Sequence, residues 1–389
     1  MAWLIPENKL DAQQRLFIDS DAIFDRNVWI KGFAGSGKSI LILYSIKKIL
    51  ARNPKAKILL VVFTHSLIKM FKAAFEEMGL QVQVETYYAF MKEPTHYDYI
   101  LCDEVQDLTE RIIDALEQYA DRVIVAGDAN QSIYLRDPRW GEPTIDKDFL
   151  SDRDYREQEL TIIHRLPKSL IEVVNHFMPD MHIFSAKFDM TKPDAQVRVC
   201  KSERVEDEIR YLLDRAMRAI EGGYTVAVLL PTQELMVLFV NWVLYCMGRQ
   251  QWDPPQLNRW GKYDFSQLNS ALSIAGIPLQ CIANGYGSFS SSHPQINVMT
   301  YHSSKGLDFD NVFIPFASEG VPIFGSDEEL SRRLFMVAMT RTRSNLCITY
   351  TGTPYEELHS FQYLCTMIEI ENAETAAASQ QKGGNKWGI

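Results

Sequence analysis

Between an apolar run at Val28–Ile30 and a helical pattern opening at Ser39, the chain reads Gly32-Phe33-Ala34-Gly35-Ser36-Gly37-Lys38-Ser39. Glycines at this density let consecutive backbone N–H groups turn toward one centre, and a helix that starts there adds the positive end of its dipole. Such a loop is a cradle for a chain of phosphates. Gly32, Gly35, Ser36 and Gly37 would line it, Lys38 would reach the β- and γ-phosphates, and Ser39 would hold Mg²⁺. The cradle works only with a strand feeding it and a helix leaving it, so the first part of the chain is expected to be α/β.

The flanking pattern agrees. Val28–Ile30, Lys57–Phe63, Val82–Glu85, Tyr97–Cys102 and Arg122–Ala126 read as strands. Ser39–Ala51, Ser66–Met78 and Thr109–Ala120, between them, carry apolar residues at helical spacing. The alternation resumes after a polar stretch at Phe184–Gln196. Val197–Cys200, Tyr224–Leu230, Ile296–Thr300, Asn311–Phe316 and Asn345–Tyr350 read as strands, with helices over Glu203–Ile220, Gln233–Met247 and Leu330–Thr342. Strand–helix alternation of this kind predicts parallel sheets covered by helices. A length of 389 residues suggests two or three domains, and the two runs of alternation make the expectation two consecutive α/β domains. Their bounds are 1–165 and 166–371, with a short excursion near 248–266 and a small, polar tail over 372–389 expected to be disordered.

A phosphate cradle needs a second part before it can hydrolyse anything. Ile100-Leu101-Cys102-Asp103-Glu104 is an apolar strand ending in two carboxylates. Asp103 at the strand end suits the Mg²⁺ shell, and Glu104 can orient and deprotonate an attacking water. A third motif, Gly127-Asp128-Ala129-Asn130-Gln131-Ser132-Ile133-Tyr134, follows the next strand and places Gln131 to sense a γ-phosphate and Tyr134 to face a cleft.

Composition narrows the remaining classes. The net charge of −10 argues against a protein that coats nucleic acid through phosphate neutralisation alone, though one local basic groove is compatible with it. The six cysteines form no C-x-x-C pair, so buried free thiols are expected rather than a zinc site. No apolar run approaches the ~20 residues of a membrane span, and residues 1–10 lack the apolar stretch of a secretory signal. A cytoplasmic location without membrane contact is the expectation.

Taken in order, Gly32–Ser39, Asp103-Glu104-Val105-Gln106-Asp107 and Gly127–Tyr134 resemble the first half of UvrD/Rep-type superfamily 1 helicases. Thr300-Tyr301-His302-Ser303-Ser304-Lys305-Gly306-Leu307-Asp308-Phe309 resembles that family's motif V, and Arg332–Arg341 its motif VI. Leu10-Asp11-Ala12-Gln13-Gln14-Arg15 is similar to its Q motif. The resemblance implies two RecA-like P-loop NTPase domains with ATP between them. It implies an ATP hydrolase acting as a DNA helicase or translocase on single-stranded DNA, with RNA as the other strand type and 3′→5′ as the expected polarity. Two alternatives stay open: an accessory motor that needs a nuclease or loader partner to unwind, and an ATP-dependent clamp or switch on nucleic acid.

Residue by residue, the resemblance gives Gln14 the adenine, with Gly306 and Asp308 also at the nucleotide. It gives Gln131 the coupling of γ-phosphate to strand, and Arg165 and Arg341 the stabilisation of developing phosphoryl charge, a role that suits the planar, always-charged guanidinium. Phe63, Thr64, Tyr88, Tyr134, Arg136, Thr300 and His302 are the expected contacts to the strand. His164 stands where the family has a Tyr that stacks on adenine, and Arg136 where it often has a base-stacking Trp. The family's first inserted subdomain is missing, since only Met91–Tyr97 separates Phe90 from the acidic strand.

Overall fold

The computed structural model describes residues 4–33, 35–127, 136–137, 139–146, 148–164, 166–179, 187–188, 194–253, 257, 261–289, 293–321 and 327–371. The chain divides into two compact units. One comprises Met1–Pro167 with Asp180–Lys192 and Lys305–Asp308; the other holds Lys168–Pro179, Pro193–Ser304 and Phe309–Ile389. The 305–308 segment thus belongs to the first unit although its neighbours in sequence belong to the second, an interleaving that two consecutive stretches do not anticipate.

The first unit is built on six strands: β1 (Val28–Gly32), β2 (Ile58–Val62), β3 (Gln83–Thr86), β4 (Tyr97–Asp103), β5 (Ala120–Gly127) and β6 (Arg156–Leu160). They lie in the order β3-β2-β4-β5-β1-β6 with parallel pairing throughout. Every residue of β2 is buried, as a parallel strand covered on both faces requires. β6 reads Arg-Glu-Gln-Glu-Leu and exposes most of its side chains; it lies at the sheet edge beside β1, where charged residues are tolerated. Helices α1 (Ala12–Asp19), α2 (Ala22–Asp25), α3 (Lys38–Arg52), α4 (His65–Met78), α5 (Tyr87–Lys92) and α6 (Glu110–Gln118) connect or cover these strands. A two-residue pair, β7 (Ile162–Ile163) with β8 (Lys187–Phe188), follows the sheet.

The second unit begins with α7 (Lys168–Phe177) and carries β9 (Gln196–Ser202), β10 (Val226–Leu230), β11 (Leu279–Cys281), β12 (Ile296–Thr300), β13 (Phe309–Ile314), β14 (Thr342–Thr351) and β15 (Thr366–Glu369). Their order is β11-β12-β10-β13-β14-β9-β15, again all parallel. α8 (Val205–Glu221), α9 (Gln233–Cys246), α10 (Ser266–Ile274) and α11 (Glu328–Met339) complete the unit. Its core gathers Ile209 and Leu212 of α8, Met236 and Val240 of α9 and Val226 and Val228 of β10, each fully buried aliphatic contributing about 1.5–3 kcal/mol. Trp252 of the excursion packs against this core, its backbone N–H and C=O both bonded to the Asn241 side chain. All six cysteines are free. Among the described residues no helix is long and apolar enough to cross a membrane.

Candidate nucleotide site

α3 starts where the glycine-rich loop ends because Gly37, its N-cap, takes the left-handed φ of 94°. That conformation is open to glycine, and a Cβ at Gly37 would collide with the Gln14 amide. From Ile40 to Ile46 the helix is buried without a break, so its first turn and the loop before it are held firmly. Ser36 Oγ is buried and has no hydrogen-bond partner among the described residues. Lys38 Nζ donates to the carbonyls of Gly32 at 2.7 Å and Phe33 at 3.2 Å, across the mouth of its own loop. An ammonium resting on two carbonyls and an orphaned hydroxyl are what an anion-binding loop presents.

The acidic strand end meets this loop directly. Ser39 Oγ donates to Asp103 Oδ2 at 2.6 Å. Asp103 is 1% exposed, and its carboxyl is pushed up to about 6 by burial and then by the neighbouring Glu104 charge. A buried carboxylate held against that pressure beside a hydroxyl oxygen is a hard-oxygen pair that a divalent cation would stabilise. Among the described residues no three His, Cys, Asp or Glu side chains gather as a metal cage. Mg²⁺ takes one or two protein oxygens and completes its shell with phosphates and water, so Ser39 and Asp103 would be enough to hold it.

Glu104 itself sits at φ 60°, a left-handed conformation uncommon outside glycine, and its Oε2 accepts from Gln106 Nε2 at 2.5 Å. Residues to which the sequence assigns no role complete the cluster. Lys305, 4% exposed, pairs with the fully buried Asp107, and its Nζ stands 3.9 Å from Glu104 Oε2. Asp107 is visible in the motif, but a buried aspartate's need for a cation does not say that the cation lies 198 residues away.

On the other side of the loop, Asp11 caps α1 and Gln14 returns the bond, a reciprocal capping box. Gln14 is 2% exposed and its Nε2 also donates to Ser36 O at 2.9 Å. Gln14, expected at adenine, therefore ties α1 to the loop in this structure. His164, expected to stack on adenine, places its Nε2 2.6 Å from Asp11 Oδ2, and its backbone N–H donates to Gly35 O at 2.9 Å. Gln13, also unassigned by sequence, bonds Thr161 through both ends of its amide.

The remaining expected residues fall as follows. Gly32 ends β1, and Gly306 and Asp308 lie in the 305–308 segment of the first unit. Phe63 stacks on Tyr87 at 5.1 Å, Thr64 caps α4 through Leu67 N, and Tyr88 lies against Trp140. Arg136 is exposed, with Nη1 bonded to Gly141 O. In the second unit, Thr300 accepts from Ser303 N, and burial holds the His302 imidazole below its usual range. Arg341 is 5% exposed, its guanidinium bonded to Val337 O and Thr340 Oγ1. Gln131, Tyr134, Arg165 and the 372–389 tail lie outside the described residues.

Residues 14–137 match the AAA domain family model, and residues 267–353 match the UvrD-like helicase C-terminal domain. A stretch of 64 residues is 44% identical to the ATP-dependent DNA helicase Rep of Buchnera aphidicola subsp. Schizaphis graminum, and one of 78 residues is 37% identical to DNA helicase II of Rickettsia typhi. By both family models and both relatives the chain is similar to UvrD/Rep-type superfamily 1 helicases. These stretches cover 15% and 17% of the chain, and only 10% and 12% of the two relatives' own lengths. Among solved structures, the C-terminal domain of a possible DNA helicase from Lactobacillus plantarum WCFS1 aligns over 52% of this chain and 98% of its own, at 15% identity and a TM-score of 0.34. Arterivirus nonstructural protein 10, a helicase, aligns over 86% of this chain and 62% of its own, at 14% identity and a TM-score of 0.39.

Proposed function

We propose that this UvrD/Rep-type chain is an Mg²⁺-dependent ATP hydrolase that moves along single-stranded DNA, 3′→5′ by family resemblance. The observation that carries the reading is the 2.6 Å bond from Ser39 to Asp103, which joins the phosphate loop to the acidic strand end. Glu104 stands next to that bond, half-buried and held in a strained backbone.

In this reading Lys38 leaves the Gly32 and Phe33 carbonyls for the β/γ-phosphates, and the loop N–H groups hold their oxygens. Ser39 and Asp103 are the protein's oxygens for Mg²⁺, which when bound neutralises phosphate charge as it develops. Glu104 orients the attacking water and takes its proton; Gln106 fixes the carboxylate that does so. Arg341 and Arg165 are assigned to the developing charge by resemblance, and Gln131 to the link between γ-phosphate and strand.

A second reading, an accessory motor that unwinds only with a nuclease or loader, is favoured by one feature. Four residues, Glu93–His96, connect α5 to β4, where the family's first inserted subdomain would stand.

The test is steady-state ATP hydrolysis with and without single-stranded DNA, with Lys38→Ala as the blank. Strong stimulation that Lys38→Ala abolishes supports a strand-driven motor, and duplex separation by the purified chain then decides between the two readings. Hydrolysis indifferent to DNA and RNA would sink both. A rate that does not change with strand length would favour a clamp that does not move.

A further inference from the structure

Phe63 follows the end of β2, and Tyr87 and Tyr88 follow the end of β3, so three aromatic rings leave the carboxyl edge of the parallel sheet. That edge is where an open α/β sheet receives ligands. The glycine-rich loop also leaves this edge, but after β1, with β4 and β5 lying between β1 and β2 in the sheet order. The rings therefore mark a place separate from the nucleotide.

A fourth ring arrives from outside every motif. Asp137 is 1% exposed, and its Oδ1 accepts from the backbone N–H groups of Arg139 and Trp140, each at 2.8 Å. The same turn is closed by Asp137 N to Glu142 O and Gly141 N to Asp137 O. Ile145 N, bonded to Leu108 O, pins the segment beyond it to the start of α6. So held, Trp140 sets its ring edge-on to Tyr87 at 5.8 Å and tilted on Tyr88 at 5.7 Å, while Phe63 stacks on Tyr87. Cations cover this aromatic group. The Arg139 guanidinium lies 3.9 Å above the Tyr88 ring, Lys92 Nζ lies 4.7 Å from it, and the Arg111 guanidinium stands 4.4 Å over Trp140. The acids nearby are committed: Asp137 to its turn and Glu142 to Arg111 at 3.1 Å.

Exposed guanidinium planes on an aromatic floor, in a chain of net charge −10, suit a ligand with flat faces and regularly spaced negative charge. We propose that Arg139 and Trp140 form a base-stacking contact for single-stranded nucleic acid. It rests on the strand-binding reading above and adds to it two residues that lie in no recognised motif. Arg139 offers its outer face to a base, and Trp140 fixes the floor on which the guanidinium rests. Lys92 and Arg111 supply phosphate attraction at the rim.

The experiment is fluorescence anisotropy of the full chain with a labelled oligothymidylate of roughly 15 nucleotides, and with an abasic strand of the same length. Arg139→Gln and Trp140→Leu are compared with wild type, each after its thermal melt is checked. Losing one stacked base corresponds to roughly a 5- to 160-fold weakening on oligothymidylate. That loss in both variants, with a much smaller one on the abasic strand, is the expected result. Wild-type affinity in both variants overturns the proposal, and so does an equal loss on both strands, which would mean a phosphate contact alone. Should Trp140→Leu fail to fold, Arg139→Gln, at an exposed position, decides alone. Wild type binding neither strand overturns the strand-binding reading itself, an outcome distinct from failure of the two variants.

Discussion

Ser39 and Asp103, 64 residues apart in sequence, share a 2.6 Å hydrogen bond at the carboxyl edge of the first sheet. The bond brings together the two parts an NTP hydrolase needs, the end of a phosphate loop and the acid that follows a neighbouring strand. In the proposed reading these two oxygens would hold Mg²⁺. The position is unfavourable for a charged Asp103, since burial pushes its carboxyl up to about 6 and it stays ionised at pH 7.5 only against that pressure. Asp103→Asn keeps an acceptor for Ser39 and removes the buried charge. Half-saturation by Mg²⁺ in ATP turnover is expected to rise roughly 10- to 100-fold. The ion-free protein should melt no lower than wild type. A titration of Mg²⁺ and a melt in EDTA read the two effects separately; a lower melt with unchanged Mg²⁺ dependence would make Asp103 a structural acid only.

Gly306 tests the placement of the 305–308 segment in the first unit. Its φ is +79°, and a Cβ there would stand 2.6 Å from Leu67 Cδ2. Gly306→Ala should cost roughly 1–3 kcal/mol, combining backbone strain with a shift of a buried side chain. Leu67→Ala in the same chain relieves the clash and leaves the strain, so only part of the loss is expected to return. Urea denaturation of the single and double variants gives the comparison, and full recovery would assign the whole cost to the contact.

Much of the fold is legible in the sequence. β1 to β5 are local signals, short apolar runs between helical patterns, and the glycine loop and the Asp103-Glu104 pair are contiguous motifs. β6 escapes because Arg156–Leu160 is an edge strand that buries little besides Leu160, so it carries no apolar run to read. β11 and β15 escape for a similar reason, being three and four residues long at the two edges of the second sheet. The site is legible only as far as its parts are local. Lys305 beside Asp107 and His164 beside Asp11 join residues 198 and 153 positions apart. Gln14 and His164 are expected at the nucleotide by position, and what the sequence does not show is that the side chains of both also hold α1 and its cap. Trp140 gives no motif signal at all, because its place on Tyr88 depends on a turn that Asp137 closes.

Glu208 of α8 is fully buried, yet among the described residues its hydrogen bonds come from no basic side chain. Its Oε1 accepts from Phe316 N at 2.8 Å and Thr349 Oγ1 at 2.7 Å, and its Oε2 from Thr351 Oγ1 at 2.5 Å. The first of these holds Phe316 at a left-handed φ of 61° at the end of the segment after β13. Glu208→Ala strands three donors and should cost roughly 3 kcal/mol or more, whereas Glu208→Gln, with one oxygen left to accept, should cost about half. The urea midpoint is expected to fall in that order at constant m-value. Equal midpoints for the two variants would show that neither the side chain's shape nor the one acceptor that Gln retains supports the strand ends.

His302 lies in the motif V turn of the second unit, and burial lowers its imidazole pKa from the usual value near 6.5. The sign follows from which state binds the proton more tightly. The unfolded chain protonates His302 at a higher pH than the folded one, so its contribution to stability is full above about pH 6.5 and is lost as pH falls through its folded value. Wild type should therefore lose melting temperature between pH 7 and pH 5, and His302→Gln should lose less over the same range. A neutral ring at pH 7.5 also displaces no counterion from a nucleic-acid strand. If His302 touches the strand, His302→Gln should weaken binding with the slope of log affinity against log salt unchanged. A shallower slope in the variant would mean that the imidazole is charged in the complex, and that strand binding, not burial, sets its protonation there.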